Sequence, residues 1–189
     1  MQLTVRLSGY GGYGVVTAAR LLGLTFTLQS YHVVQTESHG AAARGGACTA
    51  DVIVSSSPIY ELSFTQPDIL VVLSRSAFQK CCGAGLIPSR RQLFIESSLL
   101  DAPEVKGLLD RTRETGMPRV YPLAARQIAE ALGHVRYIGV ASLGALAVAN
   151  KEIDSVTLKA VIKSDVKLKR SVQQNLEALN RGAHLVDSH

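Results

Sequence analysis

At 189 residues, with 47% hydrophobic and 19% charged side chains, the chain can fill a core and is too apolar to be disordered. The net charge of +5 suits anionic partners, but with no tryptophan, four phenylalanines and six tyrosines, stacking platforms for single-stranded nucleic acid are scarce. No uncharged apolar stretch reaches about 18 residues and the first residues do not read as a signal peptide, so a cytoplasmic chain is expected, without nucleic-acid or membrane partners.

In chain order, Gln2 to Leu7 reads as a buried parallel strand with Leu3, Val5 and Leu7 alternating. A loop carrying Gly9, Gly11, Gly12, Tyr13 and Gly14 follows. A helix from Val15 presents Val15, Ala18, Ala19, Leu22 and Phe26 to a sheet, with Gly23 as a cost inside it or an early end. His32-Val-Val34 is a short strand, Thr36 to Arg44 a polar loop, and Gly46 to Val54 an alternating strand. Ile69 to Leu73 is apolar throughout and therefore central.

A helix from Ser76 to Gly83 or Gly85, a strand at Gln92 to Ile95, and a helix from Val105 to Thr115 ending at Gly116 come next. Arg119 to Tyr121 is a short strand, and Leu123 to Leu132 a helix closed by Gly133. Ile138 to Asn150 is apolar and rich in small residues, so it must pack closely, either on its own sheet or on another chain. Helices at Ser155 to Ile162 and Asp165 to Asn180 form a C-terminal tail, over about residues 151–189, of what reads as a single domain spanning residues 1–189. Their Lys159, Lys163, Lys167, Lys169, Arg170 and Arg181 read as a solvated face. The alternation of strands and helices predicts an α/β fold of three layers, α/β/α, around a mostly parallel sheet.

Three constellations bear on chemistry. Gly9-x-Gly11-x-x-Gly14 between a strand and a helix matches a dinucleotide fingerprint, although the acidic residue expected after the second strand is only loosely met by Glu37. The alternative is a tight turn whose glycines permit helix–strand packing. Gln35 to Gly46 holds Thr36, Glu37, Ser38, His39 and an arginine beside a glycine pair, Arg44-Gly45-Gly46, which can reach a phosphate. His39 has no recognisable catalytic partner, and the segment reads as a surface loop at a subunit contact. Arg136 lies between a helix end and the small-residue helix and gains interest if Arg44 is near. Cys48, Cys81 and Cys82 lack the spacing of zinc or iron–sulfur ligands and read as reduced, largely buried residues. No catalytic residue and no metal site are predicted within this chain.

Two runs, Gly9-Tyr-Gly-Gly-Tyr-Gly-Val-Val-Thr-Ala-Ala-Arg20 and Gln35-Thr-Glu-Ser-His-Gly-Ala-Ala-Ala-Arg-Gly-Gly46, resemble the gamma subunit of 2-oxoacid:ferredoxin (acceptor) oxidoreductases, most nearly of the 2-oxoglutarate type. The resemblance continues through Asp68 to Ser74, Gln127 to Gly133 and Ala141 to Ala147, and so covers nearly the whole chain. It departs at Tyr13, where that family usually has glutamine.

The resemblance implies a part of an enzyme, inactive alone, whose complex converts a 2-oxoacid and coenzyme A to acyl-coenzyme A and carbon dioxide, with electrons passed to ferredoxin. Thiamine diphosphate would lie between alpha and beta subunits, and iron–sulfur clusters in other chains, including a small ferredoxin-like delta subunit. Arg44, Gly45, Gly46 and Arg136 are then the expected coenzyme A contacts. The alternatives are an NAD(P)-binding oxidoreductase, resting on the first glycine loop, and a purely structural scaffold.

Overall fold

The computed structural model describes residues 1–39, 46–85, 87, 91–115 and 118–186. Six strands form one sheet: β1 (Gln2–Tyr10), β2 (His32–His39), β3 (Ala47–Ser55), β4 (Ile69–Val72), β5 (Gln92–Glu96) and β6 (Arg119–Leu123), in the order β2-β3-β1-β4-β5-β6. β3 alone runs against its neighbours β1 and β2, and the β1–β4, β4–β5 and β5–β6 pairs are parallel. The expectation of a mostly parallel sheet therefore holds, with one antiparallel strand between β1 and β2.

The helices are α1 (Val15–Leu28), α2 (Arg75–Gly83), α3 (Pro103–Thr115), α4 (Ala125–Ala131), α5 (Ile138–Ala149), α6 (Ser155–Ser164) and α7 (Val172–Ala183). Strand alternation divides the interior into two cores. Val5, Leu7, Val52, Ile69, Val71 and Phe94 face the layer built from α1, α4, α5, α6 and α7. Leu70, Val72, Leu93 and Ile95 face α2 and α3 through Phe78, Cys81, Val105 and Leu108. Buried on both sides, β4 accounts for its unbroken apolar run. Each fully buried Leu, Ile or Phe contributes about 1.5–3 kcal/mol, so the three layers follow from the pattern of apolar residues.

Several boundaries differ from the sequence reading. β1 extends through Gly9 to Tyr10, and it pairs antiparallel with β3 as well as parallel with β4. The short second strand becomes eight residues, because Thr36, Glu37, Ser38 and His39 pair with Asp51, Ala50, Thr49 and Cys48. Backbone pairing on the sheet edge does not require apolar side chains, and so the polar run conceals it. Gly23 does not end α1; it is buried, and Val33 of β2 packs over it. Leu123 closes β6 instead of opening α4, and Gly116 lies outside the described residues.

The small-residue helix α5 is buried through Leu146. Its close partners are the chain's own α7 and the loop before α1, not the sheet. A Cβ added at Gly144 would overlap the carbonyl oxygen of Leu179, and one at Gly182 would overlap that of Ala141. The helix expected over Asp165 to Asn180 is instead a 3-10 turn, Val166–Ser171, followed by α7. Asp165 caps that turn by accepting from the Lys167 and Leu168 N–H groups, and it pairs with Arg20 of α1, which holds its carboxyl below the usual carboxylate range. Lys159, Lys163, Lys167, Lys169, Arg170 and Arg181 are all exposed.

Candidate functional site

β1 and β4 lie side by side and parallel, but α1 leaves β1 for one face of the sheet and α2 leaves β4 for the other. Strand ends at such a reversal open a crevice, the usual ligand position in open α/β sheets. Both glycine segments arrive there because β3 is antiparallel: Tyr10 pairs with Ala47 and Gly9 with Cys48. The Gly11 N–H donates to the Gly46 carbonyl at 3.0 Å, joining the first glycine loop to the end of the Arg44-Gly45-Gly46 run. Arg44 and Gly45 themselves lie outside the described residues. Their flanks, His39 and Gly46, both sit on this rim.

The glycines have distinct local reasons. At Gly9 a Cβ would lie 2.9 Å from Val15 Cγ2 and 3.3 Å from Leu73 Cβ, so glycine lets α1 start close over the ends of β1 and β4. Gly14 has φ +74°, and a Cβ there would overlap the carbonyl oxygen of Arg136. The Gly139 N–H donates to the Tyr13 carbonyl at 2.9 Å, and a Cβ at Gly139 would overlap the Gly14 carbonyl. Backbone thus meets backbone where α5 begins beside α1, and the packing reading of the glycine loop is supported. Gly12 differs, with open space around a Cβ built on it.

The dinucleotide reading loses its geometry. Glu37 is on β2, separated from β1 by the whole of β3, and so is two strand spacings, about 10 Å, from the loop it would have to serve. It pairs with Ala50 and accepts a 2.9 Å bond from Gln35 instead.

Two arginines neighbour the Gly14–Gly139 contact, Arg136 through its own carbonyl beside Gly14 and Arg126 through Tyr13. Arg136 is exposed, in the 3-10 turn Val135–Tyr137 that opens α5, as its place between the two helices implied. Its backbone N–H donates to His134 Nδ1 at 3.1 Å; its guanidinium donates to Tyr137 Oη at 3.0 Å and lies 5.1 Å from that ring's centroid. Arg126, in the first turn of α4, was not singled out from the sequence. It is half-buried, donates to Tyr13 Oη at 2.6 Å and sits 5.3 Å from the Tyr13 ring centroid. The signal available for it was an arginine just after a strand, which topology puts at a strand end. Tyr13 and Tyr10 lie with ring centroids 5.9 Å apart.

Beneath Arg126, Glu96 is only 2% exposed. Burial pushes its carboxyl above the usual range, and the backbone N–H and the charge of Arg126, with the Ser98 and Ala125 N–H groups, pull it partly back. The contact from Arg126 to Glu96 runs through the backbone N–H, 3.1 Å from Oε2, leaving the guanidinium directed to Tyr13.

Cys48 faces one core and Cys81 the other, so the two cannot ligate one cluster, and burial pushes both thiols up. Cys82 is exposed, contrary to the sequence reading, because it occupies the outer side of α2. No group of three metal-ligating side chains gathers among the described residues, and these residues do not fit an iron–sulfur centre. A cavity of about 340 Å³ lies at the opposite strand ends around Asp68 and Gln92, and one of about 230 Å³ runs from the Arg6–Asp51 pair to Ser8, Ser38 and Thr49. No described helix is long and apolar enough to cross a membrane.

The chain is 27% identical over 187 residues to the 2-oxoglutarate synthase subunit KorC of Methanothermobacter marburgensis, covering 98% of this chain and 97% of that one. With KorC of Methanocaldococcus jannaschii identity is 43% over 81 residues, 42% of this chain and 43% of the relative. For KorC of Archaeoglobus fulgidus it is 38% over 101 residues, 53% of each, so about half of these two relatives is spanned.

In fold, it matches the keto/oxoacid ferredoxin oxidoreductase gamma subunit from Geobacter sulfurreducens with a TM-score of 0.74 and 21% identity, over 99% of both chains. It also matches 31% of a chain of the Magnetococcus marinus 2-oxoglutarate:ferredoxin oxidoreductase, with a TM-score of 0.77 and 21% identity, over all of this chain. The pyruvate ferredoxin/flavodoxin oxidoreductase family model accounts for residues 4–185, from the first strand to beyond the last helix, and the chain belongs to that family.

Proposed function

We propose that the chain is the gamma subunit of a cytoplasmic 2-oxoacid:ferredoxin oxidoreductase of the 2-oxoglutarate type, and that its strand-end rim binds coenzyme A. The observation that carries this reading is the Gly11–Gly46 hydrogen bond, which joins the two glycine segments at the sheet's reversal point, on the rim that Arg136 shares. The Magnetococcus marinus relative was solved with 2-oxoglutarate, coenzyme A and succinyl-CoA bound.

Thiamine diphosphate, held by alpha and beta subunits, supplies the carbanion chemistry, and iron–sulfur clusters in sister chains, including a small delta subunit, carry electrons to ferredoxin. This chain's own task is binding. Arg44 and Arg136 hold phosphates by charge-assisted hydrogen bonds, and Gly45 and Gly46 leave the backbone bare for close approach. Restraining a mobile thiol substrate at the rim raises its effective concentration near the reacting centre. In this reading no described residue transfers a proton or forms a bond to the substrate, and the chain alone is expected to show no turnover.

The test uses the assembled complex. Arg44→Ala and Arg136→Ala are each expected to raise the KM for coenzyme A about tenfold, the loss of one charge-assisted contact, with 2-oxoacid-dependent decarboxylation intact. An unchanged coenzyme A dependence in both variants overturns the reading. Saturable binding of NAD by the chain would favour the dinucleotide alternative.

A further inference from the structure

We propose that Arg126, held in place by Tyr13, is an additional phosphate-contacting residue on this rim. The inference rests on the coenzyme A reading above and adds to it a residue and a supporting partner.

Three features of Arg126 support it. Its guanidinium lies 5.3 Å from the Tyr13 ring centroid and is fixed by one 2.6 Å bond to Tyr13 Oη. Stacking and a single acceptor fix the plane of the group while leaving most of its five donors for a ligand. No carboxylate among the described residues lies within ion-pair distance of it, unlike Arg6, Arg20, Arg75, Arg91 and Arg181, which each have one. Glu96, the carboxylate beneath it, is engaged by the Arg126 backbone N–H and senses its charge without forming an ion pair with the guanidinium, so a bound anion meets a half-buried cation that is only partly compensated.

Position supplies the second argument. Tyr13 precedes Gly14, the residue whose neighbourhood is closed by the Arg136 carbonyl, so Tyr13–Arg126 and Arg136–Tyr137 both adjoin one backbone contact. Each is an arginine stacked on a tyrosine and bonded to a tyrosine hydroxyl. A ligand with more than one phosphate, such as coenzyme A with its diphosphate and 3′-phosphate, offers an anionic group to each of the two cations. Tyr13 supplies both the acceptor oxygen and the ring that orient Arg126.

The experiment compares Arg126→Gln, Tyr13→Phe and Arg136→Ala in the assembled complex. It measures kcat, the KM for coenzyme A, and inhibition by adenosine 3′,5′-bisphosphate. Arg126→Gln is expected to raise the KM and the inhibition constant together, about tenfold, with kcat unchanged. Tyr13→Phe keeps the ring and loses the acceptor, so it shifts both constants in the same direction by about threefold. A purely structural arginine would change stability without moving the inhibition constant.

If Arg136→Ala raises the KM while Arg126→Gln and Tyr13→Phe leave it and the inhibition constant unchanged, this inference is overturned and the coenzyme A reading stands. If none of the three changes either constant, both fail. Loss of co-purification with the sister chains in Arg126→Gln, with coenzyme A constants unaltered in Tyr13→Phe, would assign the guanidinium to a partner's carboxylate and also overturn it.

Discussion

Gly14→Ala is expected to lower the melting temperature by about 10 °C. A non-glycine residue at φ +74° carries roughly 1–2 kcal/mol of strain, and its Cβ would overlap the Arg136 carbonyl, adding about 1–3 kcal/mol as neighbouring backbone is pushed away. In a chain of this size each kcal/mol is about 2–4 °C. Gly12→Ala is the control: φ is +97° there, but nothing lies near the added methyl, so only the strain remains. Thermal unfolding of both variants by circular dichroism measures the difference. Equal losses would mean that the start of α5 is not seated on Gly14.

The second large effect is expected where α5 meets α7. Gly182→Ala places a methyl on the Ala141 carbonyl, and Gly144→Ala places one on that of Leu179. Both obstacles are helix backbone, which cannot rotate aside as a flexible side chain can. The helices must separate, opening contacts made by the buried Ala141, Ala145 and Ala178. Each substitution should cost about 3 kcal/mol, at the upper end for overpacking, seen as a lower urea midpoint at constant slope. Because one separation relieves both clashes, the double variant should lose less than the sum. Full additivity would contradict a shared interface.

These contacts show what local sequence could and could not convey. The apolar run at β4, the amphipathic face of α1 and the alternation in β3 each report burial directly, so the layers and most elements were legible. Small residues in Ile138 to Asn150 announced a close approach, but the identity of the neighbour depends on α7, far along the chain. β2 was read short because Thr36 to His39 are ordered by β3 and not by their own apolarity.

In the site, spacing disclosed two glycine segments but not their union, which needs β3 to run antiparallel to β1. The same insertion carries Glu37 away from the first loop, which no local pattern reveals. Tyr13, a mere departure in sequence, acquires a physical role only when α4 brings Arg126 over its ring. Such tertiary pairings leave no periodic signal.

The central claim is that this chain itself contacts coenzyme A, and chemical protection tests it most directly. The assembled complex would be treated with phenylglyoxal, which modifies accessible arginines, with and without saturating coenzyme A, and each arginine quantified by peptide mass spectrometry. The account predicts that coenzyme A slows modification of Arg44 and Arg136 while the exposed Arg170, in the 3-10 turn before α7, and Arg181, on α7, react at the same rate. Equal rates with and without coenzyme A at Arg44 and Arg136 would contradict it.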